Sequence, residues 1–372
     1  MRLPRLPFRE LRRQPSRFVV ATVVLAFLAT LLLFLGGLLD GLYLGSTGAI
    51  RAQRSDAIVF SSSARDSFLR SRITPELRAE IEAAEGVGEV GGLGFVLLGA
   101  QVPGETELAD VAVAGYEVPP AGVPTPGPDG QGVADSRLED QGVQVGDTIL
   151  VGPAETPITI TGFVDDTAYL QQGTVWVNLA TWRAVQNANR PDSAVADGVV
   201  QALVVTRDAA TTLSGPLPEL IDTTTDGATK TLTVEDAVLA LPGVKQQGDT
   251  FDQIIYSTLV VVLAVVALFF SLLTIERMGL YGVLKAIGAS TRRLFAGVLL
   301  QAVIVATIAF VVGSLLALAA AAALPAKVPL QLTPGRFLFT YAGLLVAAVL
   351  GSAISLRRVT RVDPASAIGG AG

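Results

Sequence analysis

The 372-residue chain contains no cysteine and no histidine. The first absence excludes disulfides, zinc thiolate sites and thiol nucleophiles; the second excludes histidine metal ligands and histidine-based catalytic triads. Charge is scarce too, at 16% of residues against 51% hydrophobic. A soluble domain carries about 25% charged residues, so the deficit points toward a membrane. No GxxxxGK[ST] phosphate loop is present, and no glycine is followed by lysine; any ATP chemistry of that kind must reside on another subunit. Acidic pairs such as Asp165 with Asp166 occur, but a turn beside a strand accounts for them better than acid–base catalysis. The chain is not expected to be an enzyme.

Four stretches lack charge altogether: Phe18 to Leu39 (22 residues), Gln253 to Ile275 (23), Leu294 to Ala326 (33) and Phe337 to Leu356 (20). A hydrocarbon core of about 30 Å is crossed by roughly 20 helical residues, whereas buried helices of soluble proteins usually run about 10 to 14 and carry polar positions. Four transmembrane helices follow. The first is expected to stay attached, because its apolar run exceeds the core of about 7 to 15 residues of a cleaved signal and no A-x-A site follows it.

Orientation follows from the charges that flank these runs. The N-terminal tail, the link between the second and third runs and the C-terminal tail together hold 13 basic residues against three acidic ones, Glu10, Glu276 and Asp363. Short basic segments stay in the cytoplasm, so both termini are expected there. Residues 40–252 hold 12 basic and 30 acidic residues, a net charge of minus 18, and are expected outside. So acidic a surface argues against a nucleic-acid partner. The expected division is a cytoplasmic amphipathic segment 1–17, spans 18–42, 252–275, 294–324 and 337–356, an external domain 43–251, a cytoplasmic helix 276–293, a short external loop 325–336 and a tail 357–372. Segment 1–17 also reads as a plain polybasic topology signal.

Between the first two spans the pattern changes to short Val- and Ile-rich runs separated by turn residues. Residues 57–60, 95–98, 111–114, 158–164, 175–177 and 202–205 read as strands. Helices are expected from Thr74-Pro75 to Glu85 with a stop at Gly86, near Leu179 around Trp182, and after Thr233 up to Pro242. The result is an α+β domain of about 200 residues, large enough for its own core. The Pro- and Gly-crowded run Val118 to Gly132 is expected to be a mobile surface loop.

The link Glu276 to Arg293 reads ERMGLYGVLKAIGASTRR. On a helix, Leu280, Val283, Leu284, Ile287 and Leu294 share one side and Arg277, Tyr281, Lys285, Gly288 and Arg292 another, so an apolar face can pack on membrane helices while a cationic face meets a cytoplasmic protein. A solvated positive-inside loop would carry similar charges. The residues Glu276, Arg277, Gly282, Leu284, Lys285, Ala286, Ile287, Gly288, Ala289 and Ser290 resemble the cytoplasmic signature of the FtsX/MacB-type ABC permease family. The tail RRVTRVDPASAI (residues 357–368), the order of one span, a large domain and three spans, and the segment 145–164 resemble that family as well. Segments 41–61 and 169–182 are similar to the HrtB haem-efflux branch, with DevC-type exporter permeases nearby.

This resemblance implies a membrane α-helical protein of the bacterial cytoplasmic membrane, a homodimer docked on two ATPase subunits. ATP and magnesium would lie on those subunits, and no cofactor on this chain. Glu276, Arg277, Tyr281, Gly282, Lys285, Gly288 and Arg292 would contact the ATPase. Gly313 and Ser314 in the Ala-rich third span would serve either as a face between copies or as packing within one chain. The implied activity is export, or outer-leaflet extraction, of a hydrophobic or amphipathic cargo, with haem as the named candidate. Asp40, Tyr43, Asp249, Asp252 and Tyr256 at the outer ends of the first two spans are then substrate-binding candidates, with Tyr256 and Tyr169 as iron ligands. Interfacial tyrosines are also ordinary membrane anchors. The rival implication is an FtsX-like transducer that relays ATPase motion to an external cell-wall hydrolase and moves no solute.

Overall fold

The computed structural model describes residues 15–65, 67–211, 215–276, 290–325 and 328–359. Long helices carry the charge-free runs: α1 (Pro15–Arg51), α6 (Val244–Glu276), α7 (Thr291–Ala323), which holds the third run as far as Ala323, and α8 (Pro334–Val359). All four are long and apolar enough to cross a membrane. Between α1 and α6 the chain forms β1 (Ala57–Ser61), α2 (Pro75–Glu82), β2 (Val87–Gln101), β3 (Ala109–Tyr116), β4 (Gln131–Asp135), β5 (Thr148–Val151), β6 (Thr156–Val164), β7 (Gly173–Asn178), α3 (Leu179–Asn189), β8 (Ala202–Arg207), α4 (Leu217–Thr224), β9 (Thr229–Leu232) and α5 (Val234–Ala240). This is an α+β domain inserted between the first and second apolar helices. The chain divides into two units, one of residues 1–41 with 248–372 and one of residues 42–247.

Small residues bring the helices of the first unit together. Ala26 and Ala29 of α1, Val262 and Val266 of α6, Val305, Ala306 and Ala309 of α7, and Leu344 and Ala348 of α8 are all buried in one cluster. A side chain on Gly313 would strike the Ala26 carbonyl and the Ala29 methyl. Thr30 meanwhile donates its hydroxyl to the carbonyls of Ala26 (2.8 Å) and Gly313 (3.2 Å). Gly313 therefore packs α7 against α1 of the same chain, so the second of the two readings of that glycine holds. The opposite faces, with Val19, Val20, Val23 and Phe27 of α1 and Val311, Leu315 and Leu318 of α7, are exposed and suit hydrocarbon.

In the inserted domain the strand order is β3-β7-β4-β6-β5-β2-β8-β1-β9, and an additional β2–β3 pairing closes the first six strands into a circuit. Among the described residues, only β3 with β7 and β4 with β6 run parallel. The 15-residue β2 belongs both to this circuit and to the β8-β1-β9 extension, which is why its burial is nearly continuous instead of alternating. One apolar cluster, including Val96, Val111, Ile149, Ile158 and Val175, fills one side of the circuit strands; another, including Phe60, Phe68, Phe95, Tyr169 and Trp176, fills the other.

The expected strands all appear, as do the three expected helices. Thr74 caps α2 by accepting from the Leu77 amide at 3.3 Å, and Gly86 follows with φ 79°, a left-handed turn that favours glycine. Strands β4, β5 and β9 and helix α4 are additional. Residues 117–130 form no helix or strand and are largely exposed, as expected of a surface loop, while a few contacts tether them to the domain. Val123 is 6% exposed and sits in the aromatic-side cluster. The Tyr116 hydroxyl donates to the Pro124 carbonyl at 2.6 Å, and the Ala121 amide donates to the Ala52 carbonyl at 2.7 Å.

Trp182 of α3 lies on a floor made by two glycines. Gly94 of β2 pairs with Gly115 of β3, and a side chain on either would enter the space of the indole. Gly115→Val is expected to expel or tilt Trp182 and to lower stability by about 1–3 kcal/mol, the usual cost of overpacking. Scanning calorimetry of the full-length protein in nanodiscs checks this, and an unchanged transition would contradict the glycine-floor packing.

Candidate functional site

The segment expected to meet an ATPase is bracketed by two helices. Glu276 is the last residue of α6, and Arg292 is the second residue of α7, whose N-cap is Ser290. Arg277, Tyr281, Gly282, Lys285 and Gly288 lie outside the described residues. Arg357 and Arg358 fall in the last turn of α8, while Arg361 is also outside the described residues.

The most elaborated polar site of the membrane unit is built around Asp40 of α1. Arg336 in the first turn of α8 engages its carboxylate with two nitrogens, Nη2 to Oδ1 at 2.5 Å and Nε to Oδ2 at 3.2 Å, and the Thr333 hydroxyl donates to Oδ2 at 2.9 Å. Thr333 also accepts the Arg336 amide at 3.2 Å, capping α8 one residue before Pro334. The paired side chains are only 15% and 18% exposed. A two-pronged arginine–carboxylate pair of this kind is strong and directional.

Glycines make the approach available. A side chain on Gly36 would collide with the Arg336 stem, one on Gly37 with Leu330 and Leu332, and one on Gly41 with the Pro329 carbonyl. The Gln331 amide donates to the Gly37 carbonyl at 2.9 Å. The link before α8 thus lies along a glycine face of α1. Asp40, expected as a substrate group, is already engaged, and any cargo contact there would have to compete with Arg336. Sequence reasoning passed over Arg336; a lone arginine in a short link between two apolar runs is the signal that marks it.

Asp249, Asp252 and Tyr256 follow each other at helical spacing of three and four residues on α6, and all are exposed, Tyr256 to 61%. The helix brings these three candidates onto one face. Tyr43 is 39% exposed, with the Arg51 guanidinium 5.9 Å over its ring.

Tyr169 differs from its expected role. It is 4% exposed, stacked on Phe95 with centroids 4.2 Å apart, and met edge-on by Phe68. Burial pushes its phenol well above the usual tyrosine range. A phenol held neutral inside an aromatic core is a packing residue, and it could ligate iron only if that core opened.

A buried carboxylate that sequence reasoning did not single out fixes the neighbouring loop. Asp135, at the end of β4, is 1% exposed; it accepts from the Thr167 amide and hydroxyl, both at 2.8 Å, and from the Arg137 amide at 3.1 Å. Burial raises its carboxyl above the ordinary aspartate value, outweighing the three hydrogen bonds that act the other way. Between the ordinary and the raised value the folded state therefore binds the extra proton, and stability falls as pH rises through that window. Asp135→Asn should flatten this slope. It should also cost roughly 1–2 kcal/mol near neutral pH, because one amide NH2 would face donors. Thermal melts of the full chain across the acidic range give both quantities, and an unaltered slope would dissociate the dependence from Asp135.

Among the described residues no cluster of carboxylates could hold a metal ion. Residues 254–364 match the family described as FtsX-like permease C-terminal. Along nearly its whole length the chain is similar to a protein named as a hemin transport system permease, HrtB, of Staphylococcus epidermidis, 19% identical over 98% of this chain and 99% of the relative. It is likewise similar to an ABC transporter permease of Mycobacterium bovis, 27% identical over 97% and 98% of the two chains. Half of the chain superposes with low overlap on the periplasmic region of MacB from Actinobacillus actinomycetemcomitans, with a TM-score of 0.35, 11% identity and 92% of that structure covered.

Proposed function

We propose, for a chain that is an ABC transporter permease of the FtsX/MacB type, that it exports or extracts from the outer leaflet an amphipathic cargo, driven by a separate ATPase. The observation that carries this is the match of residues 254–364 to the permease family. That stretch contains the cationic link Arg277 to Arg293, and nothing in the sequence supplies a phosphate loop of its own. ATP and magnesium would be held by the partner.

Two copies of the chain would dock two ATPase subunits on the cytoplasmic side, with both termini on that side and the acidic inserted domain opposite. Arg277, Lys285 and Arg292 would present the cationic face to the ATPase with Tyr281 beside them, and Gly282 and Gly288, which carry no side chain, would leave room for close approach. Closing of the ATPases would move these link helices, and α6 and α7, which they join, would carry the displacement across the membrane. Cargo would meet the exposed Asp249, Asp252 and Tyr256 face of α6.

Haem is the cargo we favour, because a relative that matches end to end is named for hemin transport and because phenol and carboxylate oxygens are the iron-compatible groups in a chain without histidine or cysteine. Deletion of the gene followed by hemin challenge tests this. Hypersensitivity that is relieved by the wild-type chain and not by Tyr256→Ala supports hemin export. Normal hemin tolerance together with cell chaining or defective wall cleavage would replace it with the transducer role.

A further inference from the structure

The loop of residues 165–172, between β6 and β7, grips the end of α1 through its backbone. A helix ordinarily spends its amides and carbonyls on its own turns. Here the carbonyls of Gly45 and Ser46 accept from the amides of Gln171 (2.9 Å) and Leu170 (3.1 Å), and the Ala49 amide donates to the Ala168 carbonyl at 3.0 Å. Gln171 Nε2 adds the Leu42 carbonyl at 2.6 Å and the Ser46 hydroxyl at 2.8 Å. Arg51 closes the far end on Asp166 at 2.6 Å.

Such closeness requires glycine. A side chain on Gly48 would meet the Asp166 carbonyl and the Ala168 amide, and one on Gly45 would meet the Arg137 and Gln171 side chains. The loop itself is held in a costly backbone shape, with φ of 56° at Asp166, 49° at Leu170 and 69° at Gln171. Left-handed conformations at three non-glycine residues persist only where the surroundings over-determine them. Those surroundings are visible: Asp135 holds Thr167 twice, Tyr169 is stacked on Phe95, and Thr47, Ala49, Ile50 and Thr167 are fully buried.

We infer that residues 42–51 and the 165–172 loop form a rigid joint that makes the end of α1 an integral part of the inserted domain. A tilt or turn of that helix end then passes into β6 and β7 and is not absorbed in a linker. The joint stands on these contacts alone; its use in an ATP-driven cycle rests on the permease reading.

Because the chain has no cysteine, two spin labels can be placed without background. Tyr43→Cys and Asp140→Cys are exposed positions within the inserted-domain unit, and double electron–electron resonance on the full chain in nanodiscs reads the distance between them. The expected result is one narrow distance distribution, which Gly48→Leu broadens by driving the Asp166 carbonyl away. A broad or two-peaked distribution without that substitution overturns the joint. So does a narrow one in Gly48→Leu protein of native circular dichroism. Should Gly48→Leu not fold, Gln171→Ala, which deletes the two Nε2 contacts, takes its place with the same reading. The measurement needs neither ATPase nor cargo, so its failure would leave the permease reading standing, and loss of the permease reading would leave the joint standing.

Discussion

Replacing Arg277, Lys285 and Arg292 with glutamate should abolish permease-stimulated ATP turnover, at least about tenfold, and prevent the ATPase from co-purifying. Each cation that pairs with a carboxylate across a docking surface is commonly worth about 2–5 kcal/mol when its partner is lost, and about 1.4 kcal/mol is a factor of ten in binding. Reversal does more than remove attraction, since like charges then face each other in a partly desolvated contact. The net charge of the short basic segments would also fall, so topology must be checked in the same sample by protease accessibility of the inserted domain. If the triple variant inserts normally, retains its ATPase and still stimulates turnover, the cationic link is only a topology signal and the docking role of these residues is lost.

The second large effect is expected at Asp40. Asp40→Asn leaves the Arg336 guanidinium without its counter-charge in a site where the two side chains are 15% and 18% exposed. Breaking a fully buried pair costs about 3–5 kcal/mol; partial solvent access reduces that to roughly 2 kcal/mol here. Arg336→Gln should cost less, since the acid retains the Thr333 hydroxyl. The exchange Asp40→Arg with Arg336→Asp should recover little, because Gly36 makes room for an arginine stem coming from α8 and not for one leaving α1. Thermal unfolding of the full chain in nanodiscs orders these variants. Full recovery in the exchanged pair would mean that charge alone matters and the glycine face does not.

How much of this was legible in the sequence varied with the range of the interaction. The spans were plain because a bilayer forbids charge over a fixed length, and the α2 and α5 starts were plain because Thr74 and Thr233 cap within three residues. Strand β9 reads TKTL and β4 reads QGVAD; neither shows the apolar run that marks a buried strand, and both are held by pairing with distant neighbours. Helix α4 opens with two prolines around Leu217, a pattern that also suits a loop.

The site was less legible than the fold. Asp40 was recognised as unusual, but its partner is 296 residues away. Tyr169 entered as an iron ligand only through the resemblance to haem exporters, and the two aspartates and two glutamines around it in the 165–172 stretch give no sign of burial. Its burial arises from Phe68 in the segment after β1 and Phe95 of β2.

Both tryptophans of the chain, Trp176 and Trp182, are buried in the inserted domain, and neither indole N–H has a hydrogen-bond partner among the described residues. Excited at the red edge, the whole membrane-embedded protein therefore emits from one place only. Fluorescence of the unlabelled chain reports on that domain while the spans stay dark, so nucleotide-dependent changes there can be followed in native lipid with no probe attached.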